Sequence, residues 1–189
     1  FWRPAGAQPA HDYAAFDDPA GAEAYARAMY EQWRFDAVTV SGYQGLDTVR
    51  PFLAYEGKGV YVLCRTSNPS SAEFQELRLA NGRQLFEEMA LVARSWSPDV
   101  GLVVGATAPT ELVRVRALVP RASLLVPGVG AQGGDPEAVM RAAGGEPGSI
   151  VVNSSRGILY AGEGPNFAEV AADAAQVAER CQAHAHGAN

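Results

Sequence analysis

The chain has little that would hold a polyanion or a membrane. Its 189 residues include 15 Lys and Arg against 21 Asp and Glu, a formal net charge of −6. No general basic field therefore exists for nucleic acid or an anionic membrane surface. The sequence also lacks any apolar run of about 18 residues, the length that crosses a bilayer. Any anion that the protein binds must be held by a local site.

Cysteine is scarce as well. The chain contains two, Cys64 and Cys181. Neither has a CxxC or histidine-spaced neighbour of the kind that binds zinc, so no metal site is expected. Since no secretory signal opens the sequence, we expect a reduced, cytoplasmic setting.

Five short apolar runs, rich in valine and leucine, alternate with segments of helical period. This pattern is typical of a parallel sheet and predicts an α/β fold. The length predicts a single domain over 1–189, with an irregular segment at 1–19 and a frayed tail at 186–189. The predicted strands are 36–40, 59–64, 100–106, 123–130 and 149–155, and the predicted helices lie near 20–33, 46–54, 77–96, 109–117, 135–143 and 166–185.

Two parallel architectures fit this alternation. Length favours a doubly wound sheet of five or six strands, because a complete (β/α)₈ barrel usually needs about 250 residues. The strand ends favour a barrel, because polar and glycine-rich residues follow one strand after another, always on the C-terminal side. In a barrel those positions gather on one face around one site.

A glycine-rich loop and an arginine one strand later predict an anion site. GVGAQGGDPEA, residues 128–138, would leave backbone amides exposed ahead of a helix, those of Gly130 and Gly133 among them. Arg156, in NSSRG after the next strand, is placed to bind a phosphate held by those amides. Alternatively, the glycines only make tight turns and Arg156 pairs with a surface carboxylate. The absence of a Walker lysine and of GxGxxG spacing argues against P-loop and Rossmann sites.

Five segments together resemble one known family. DAVTVSGYQGLDTVRPFL, GKGVYVLCRTSNPSSAEFQ, VGLVVGATAP, LLVPGVGAQGGD and NSSRGILYA are similar, in this order, to the second half of orotidine 5′-phosphate decarboxylase in its longer bacterial form. The resemblance covers roughly residues 20–162. It implies a TIM-type (β/α)₈ barrel, here partial or truncated at its N-terminus. It also implies a homodimer of pyrimidine biosynthesis that converts orotidine monophosphate to UMP without metal or organic cofactor.

The resemblance assigns roles to residues of a binding site. Ser67, in the stretch TSNPSS, would contact the pyrimidine. Gln132 would span the phosphate and the base, and Arg156 would bind the phosphate next to Gly130 and Gly133. Without the family, the serine would be taken for part of an ordinary turn or helix cap.

The catalytic motif of the family is only partly present. Family members carry an Asp-x-Lys-x-x-Asp stretch, whose lysine protonates the developing carbanion and whose last aspartate is lent by the partner subunit. The matching stretch here is DYAAFD, in which Asp12 and Asp17 fall on the aspartates and Ala14 falls on the lysine. The alternative is that both aspartates are solvated loop residues.

Neither cation beside the second predicted strand is expected to replace that lysine. Lys58, the one lysine of the chain, precedes the strand and would lie on the face opposite the site. Arg65 follows the strand, but a guanidinium with a pKa above about 12 is a poor proton donor at neutral pH. We therefore expect Arg65 to serve electrostatics or pairing.

Three functions remain open from the sequence. The first is decarboxylation of orotidine monophosphate, and it is preferred as the family identity. The second is a catalytically impaired homologue that binds a nucleotide or phosphosugar through the retained phosphate loops, as Ala14 suggests. The third is a different lyase or isomerase acting on a phosphosugar, because related barrels reuse the same loops for other chemistry.

Overall fold

Parallel strands alternate with helices throughout the part of the chain that the structure describes. The structure is a computed structural model, and it describes residues 18–129, 136–144 and 149–184. The strands are β1 (Ala37–Val40), β2 (Gly59–Arg65), β3 (Val100–Val104), β4 (Leu124–Pro127) and β5 (Ile150–Asn153). The description excludes the side chains of residues 136, 137, 155, 156 and 177–184.

Helices connect the successive strands. The first, α1 (Pro19–Arg27), is capped by Asp18, whose Oδ1 accepts a hydrogen bond from the Gly21 N–H at 2.7 Å. It continues into a π-helical turn, Ala28–Gln32. The other helices are α2 (Leu46–Leu53), α3 (Ala72–Gln75), α4 (Leu85–Trp96), α5 (Pro109–Leu118), α6 (Pro136–Ala143), α7 (Ser155–Leu159) and α8 (Phe167–His184), and a 3₁₀ turn, Pro69–Ser71, precedes α3.

The expected helix over 77–96 is wrong in its first part. Residues 77–84 form an antiparallel turn, and α4 begins only at Leu85. The turn contains Asn81 and Gly82, and the glycine has a φ of +83°. This is the left-handed region that glycine adopts without steric cost. An Asn-Gly pair is a strong turn signal, and it outweighs the helical spacing around it.

The sheet has the topology of a barrel wall. Its strand order is β1-β2-β3-β4-β5, and every neighbouring pair is parallel. Since crossovers between parallel strands are right-handed, this unbroken order places the connecting helices on one face. A doubly wound sheet would reverse its order and carry helices on both faces. The sheet curls into part of a barrel, which confirms the predicted α/β partial barrel over the doubly wound alternative.

The two faces of the sheet differ in burial. On the helix side of β2, Val60, Val62 and Cys64 are 2%, 0% and 4% exposed and belong to the main hydrophobic cluster. Leu63 points to the other face, because successive strand residues alternate. It lies in register, through β3 and β4, with Val151, and both are 38% exposed. The face with Leu63 is the concave inner surface of the partial barrel.

Two arginines close the turns at the N-terminal edge of the sheet in the same way. Arg94 lies in the last turn of α4 and Arg116 in the last turn of α5. Each guanidinium donates to the carbonyls four and six residues further along the chain, at or just before the start of the next strand. The acceptors are the carbonyls of Pro98 and Val100 for Arg94 and those of Pro120 and Ala122 for Arg116.

Candidate functional site

The loops that follow β2, β3, β4 and β5 are joined to one another at the C-terminal edge of the sheet. Three backbone hydrogen bonds link each loop or strand end to its neighbour. The sheet thereby holds the loops that carry the predicted site residues along one edge. The bonds run from the Gly105 N–H to the Arg65 carbonyl at 2.7 Å, from Ala106 to Pro127 at 2.9 Å and from Gly128 to Asn153 at 3.2 Å.

Ser67 lies in the loop after β2, and the loop after β3 packs directly against it. A Cβ added at Gly105 would stand 2.7 Å from Ser67 Cβ and 2.8 Å from its backbone N. Thr107 Oγ1 donates to the Ser67 carbonyl at 3.3 Å. Only glycine permits this approach, so Gly105 sets how closely Ser67 lies to the end of β3. Gly105 is not among the residues predicted from the sequence, although a glycine directly after a buried strand is a usable signal.

Several polar groups of TSNPSS bond within their own loop. The Ser71 N–H and Oγ donate to the Asn68 carbonyl at 3.1 and 2.7 Å. Thr66 Oγ1 donates to Asn68 Oδ1 at 2.6 Å. This is the turn chemistry expected of hydroxyls and amides next to a proline. It shapes the loop around Ser67, whose role towards the pyrimidine stays a prediction.

The two segments predicted to bind phosphate begin side by side. Ser154 Oγ, directly after β5, donates to the carbonyl of Val129 at 2.9 Å, at the start of the glycine-rich loop. The backbone of Arg156 lies in α7. Because α7 follows the C-terminal end of β5, this backbone lies at the same edge of the sheet as Ser67. The structure describes neither the side chain of Arg156 nor any atom of Gly130, Gln132 and Gly133. The roles assigned to these four residues stay predictions.

The predicted catalytic stretch also lies outside the described residues. This applies to Asp12, Ala14 and Asp17, whose assignment stays a prediction. Lys58 is described, and its Nζ is 3.3 Å from Asp36 Oδ1 just before β1. The expected position of the one lysine, at the N-terminal edge and away from Ser67, is confirmed.

A mainly apolar cleft of about 350 Å³ opens beside the loop that carries Ser67. Tyr43 and Phe74 line it and are 84% and 67% exposed. Cys64 also lines it, but burial raises the pKa of the thiol to about 12, and its Sγ donates to the Phe86 carbonyl at 3.2 Å. A protonated, hydrogen-bonded thiol is a poor nucleophile, so this cysteine is structural.

The described residues contain neither a metal-binding cluster nor a membrane-spanning helix. No group of three or more His, Cys, Asp or Glu side chains in these ranges is arranged to hold a metal ion. None of the helices in the same ranges is both long and apolar enough to cross a membrane.

The sequence matches a family model over most of its length. The model describes the orotidine 5′-phosphate decarboxylase / HUMPS family and matches residues 16–171. The chain belongs to this family. The match includes Asp17 and Ser67 and ends before most of α8, whereas Asp12 and Ala14 precede it.

Individual relatives of the family agree with this assignment. The orotidine 5′-phosphate decarboxylases of Delftia acidovorans and Azoarcus sp. are 50% and 52% identical over 161 residues. Each alignment covers 82% of this chain but 58% of the relative. The chain thus spans a little over half the length of the curated relatives that it matches.

Solved structures of the same family share the fold. UMP synthase of Leishmania donovani has a TM-score of 0.78 and 39% identity, over 89% of this chain and 37% of that one. Orotidine monophosphate decarboxylase of the same organism has a TM-score of 0.73 and 35% identity, over 85% and 63%. A decarboxylase of Methanocaldococcus jannaschii, solved with the inhibitor BMP, has a TM-score of 0.65 at 23% identity, which supports the fold alone.

Proposed function

We propose that this chain acts in pyrimidine biosynthesis as an orotidine 5′-phosphate decarboxylase, binding orotidine monophosphate at the C-terminal edge of its sheet and converting it to UMP. The observation that carries the proposal is the series of backbone bonds that brings the loops after β2 to β5 together. In a chain of this family, those loops hold the residues that the resemblance assigns to base and phosphate. A (β/α) barrel places its active site at this edge.

Each predicted binding residue has a physical role in this proposal. The amides of residues 130–134 and the guanidinium of Arg156 would hold the phosphate, because amides and a forked cation both favour a dianion. Ser67 would hydrogen-bond the pyrimidine, and Gln132 would link the two ends of the nucleotide. With a net charge of −6, the chain offers the phosphate no other general attraction.

Of the steps of this reaction, proton transfer has the least support from the residues of the chain. Loss of CO₂ leaves a carbanion, and a positioned acid typically accelerates such a step by about 10²- to 10⁴-fold. The alignment places Ala14 where the family has its lysine, and Lys58 is paired with Asp36 at the opposite edge. The relatives are named as decarboxylases, so the second candidate, a homologue that binds the nucleotide but is catalytically impaired, is the alternative that turnover must test. We propose no metal or organic cofactor for either function.

Ligand titration tests the binding site. Calorimetry of the 189-residue chain should show UMP binding more tightly than uridine, since only UMP carries the phosphate. Replacing Arg156 with Ala should weaken UMP binding by about 2 kcal/mol or more, the effect of losing a charge-assisted contact at a desolvated site. Equal affinities of the parent chain for UMP and uridine would contradict the proposed phosphate site.

Turnover separates the two candidate functions. An active decarboxylase should consume orotidine monophosphate, measured by loss of its absorbance. If Ala14 stands in the place of the family's lysine, the chain should bind UMP but consume orotidine monophosphate slowly or not at all. Ala14→Lys should raise the rate only if residues 12–17 line the pocket. Rapid turnover by the unmodified chain would show that the DYAAFD alignment, or the need for its lysine, is wrong. Activity on a phosphosugar without a pyrimidine would favour the third function instead.

We also propose that the protein works as a cytoplasmic homodimer with the strand-end loops near the contact. Tyr43 and Phe74 are 84% and 67% exposed beside the cleft, and exposed aromatic side chains are common at subunit interfaces. Tyr25, in α1, is half-buried, and we expect it to lie near the same contact. Sedimentation at micromolar concentration should show a dimer, and a monomer would count against the proposal.

A further inference from the structure

The side chain of Arg65, at the last position of β2, is buried at the C-terminal edge. The residue is 8% exposed, although it carries a charge. Buried charges are costly unless they are paired and hydrogen-bonded. Arg65 is therefore held by specific partners, and these partners lie almost entirely in one loop.

The guanidinium bonds both ends and the middle of residues 66–76, here called the Ser67 loop. At the start of the loop, Nη1 donates to the Thr66 carbonyl at 2.7 Å. In the middle it donates to Ser71 Oγ. At the far end, Nη2 donates to Glu76 Oε1 at 2.7 Å. Ser67 lies between the first and second of these contacts, so the loop segment that carries it is closed by a single side chain.

A second layer of contacts supports the same arrangement. Gln75 Oε1 accepts from the Thr66 N–H at 2.9 Å, and its Nε2 donates to Thr66 Oγ1 at 2.8 Å. Glu76 is fixed in turn, because its carbonyl accepts from Gln84 Nε2 at 3.1 Å. The carboxylate of Glu111, on α5, lies 4.0 Å from Arg65 and adds a second negative charge.

The geometry points to Arg65 as a positioning residue: we propose that its guanidinium holds the Ser67 loop so that Ser67 meets the base of a bound nucleotide. Arg65 itself would not touch the ligand. A planar fork with donors on two nitrogens can bond Ser71 and Glu76 together, whereas a lysine ammonium is a point charge. The inference rests on the proposed function for the base contact, but the fixing of the loop stands on the described bonds alone.

Three variants of the full chain test the proposal. Arg65→Met removes the charge and the bonds, and Arg65→Lys keeps the charge without the fork. Arg83→Met is the matched control. Arg83 is exposed and lies in the turn that follows the loop, where it pairs with Glu88 of α4 at 3.2 Å. If the methionine variant does not fold, the lysine variant decides the outcome.

The binding comparison uses UMP and ribose 5′-phosphate, which shares the phosphate and sugar but lacks the base. Both Arg65 variants should bind UMP about tenfold more weakly, the equivalent of losing about one well-placed hydrogen bond, and should bind ribose 5′-phosphate as the parent does. Arg83→Met should change neither affinity. An equal loss for both ligands, no loss for UMP, or full rescue by lysine would overturn the positioning role.

Hydrogen exchange tests whether Arg65 fixes the loop, independently of whether the chain binds UMP. The amides of the Ser67 loop should exchange faster in Arg65→Lys than in the parent or in Arg83→Met. If the parent binds UMP no better than ribose 5′-phosphate, the base contact and the proposed function fail together. Faster loop exchange would then still support the fixing of the loop by Arg65, and unchanged exchange would overturn it.

Discussion

Buried or half-buried arginine side chains stabilise both edges of the sheet, but they bond different kinds of partner at each edge. At the N-terminal edge, Arg94 and Arg116 bond backbone carbonyls of the turns that lead into β3 and β4. At the C-terminal edge, Arg65 bonds side chains and backbone of the loop that carries Ser67. The first arrangement ties a helix end to the next strand. The second shapes a loop of the candidate site.

The two edges therefore differ in what a substitution should change. Contacts at the N-terminal edge satisfy backbone groups that folding would otherwise leave unpaired, so a change there should cost stability. Contacts at the C-terminal edge fix the loops relative to one another, as the bond from the Gly105 N–H to Arg65 does. A change there should weaken ligand binding as well, which a change at the N-terminal edge should not. This division between edges is the one that (β/α) barrels show in general.

The largest expected effect is the loss of stability on replacing Arg116 with Ala. Its guanidinium donates to the carbonyls of Ala143, Pro120 and Ala122, and burial lowers its pKa from the usual value. Losing these bonds should reduce the free energy of unfolding by about 3 kcal/mol, measured by urea denaturation. UMP affinity of the folded variant should not change. Arg121→Ala, at an exposed position after the same helix, is the control and should cost little.

An intermediate effect is expected from adding a methyl group at the C-terminal edge. Gly105→Ala would place Cβ 2.7 Å from Ser67 Cβ, so the Ser67 loop must shift. We expect a loss of about 1 to 2 kcal/mol in stability, as overpacking gives, and a roughly tenfold weaker binding of UMP.

Gly57→Ala is the control at the other edge. Gly57 has a φ of +73° and no atom within 4 Å of an added Cβ. The Gly57→Ala variant should lose about 1 kcal/mol of stability through backbone strain and should bind UMP as tightly as the parent. Equal losses of affinity in the two variants would remove the distinction between the edges.

The smallest expected effect is the loss of one hydroxyl. Ser67→Ala should weaken UMP binding by about 1 kcal/mol, roughly fivefold, and leave both ribose 5′-phosphate binding and stability unchanged. Ser95→Ala, an exposed serine in α4 that bonds only its own helix at Val92, is the control. If Ser67→Ala bound UMP as the parent does, the serine would be part of the turn and nothing more.

The sequence was enough to predict the strands and their parallel order, because the apolar runs around Val62 and Leu102 are local signals of burial. It predicted a helix over 77–84 wrongly, because the turn at Gly82 depends on a backbone angle that hydrophobic spacing does not express. Pairing was the expected role of Arg65, but not its partners. Gly105 was missed because its importance arises from contact with Ser67, a residue 38 positions away in the chain.

The most direct test of the difference between the edges is hydrogen exchange of the 189-residue chain with and without saturating UMP. We expect slower exchange in the Ser67 loop, at residues 105–108 and at 154–159, which lie at the C-terminal edge. Exchange in the turns at 97–100 and 119–123, at the N-terminal edge, should stay the same. Protection confined to the N-terminal turns, or absent from the Ser67 loop when UMP is bound, would contradict this expectation.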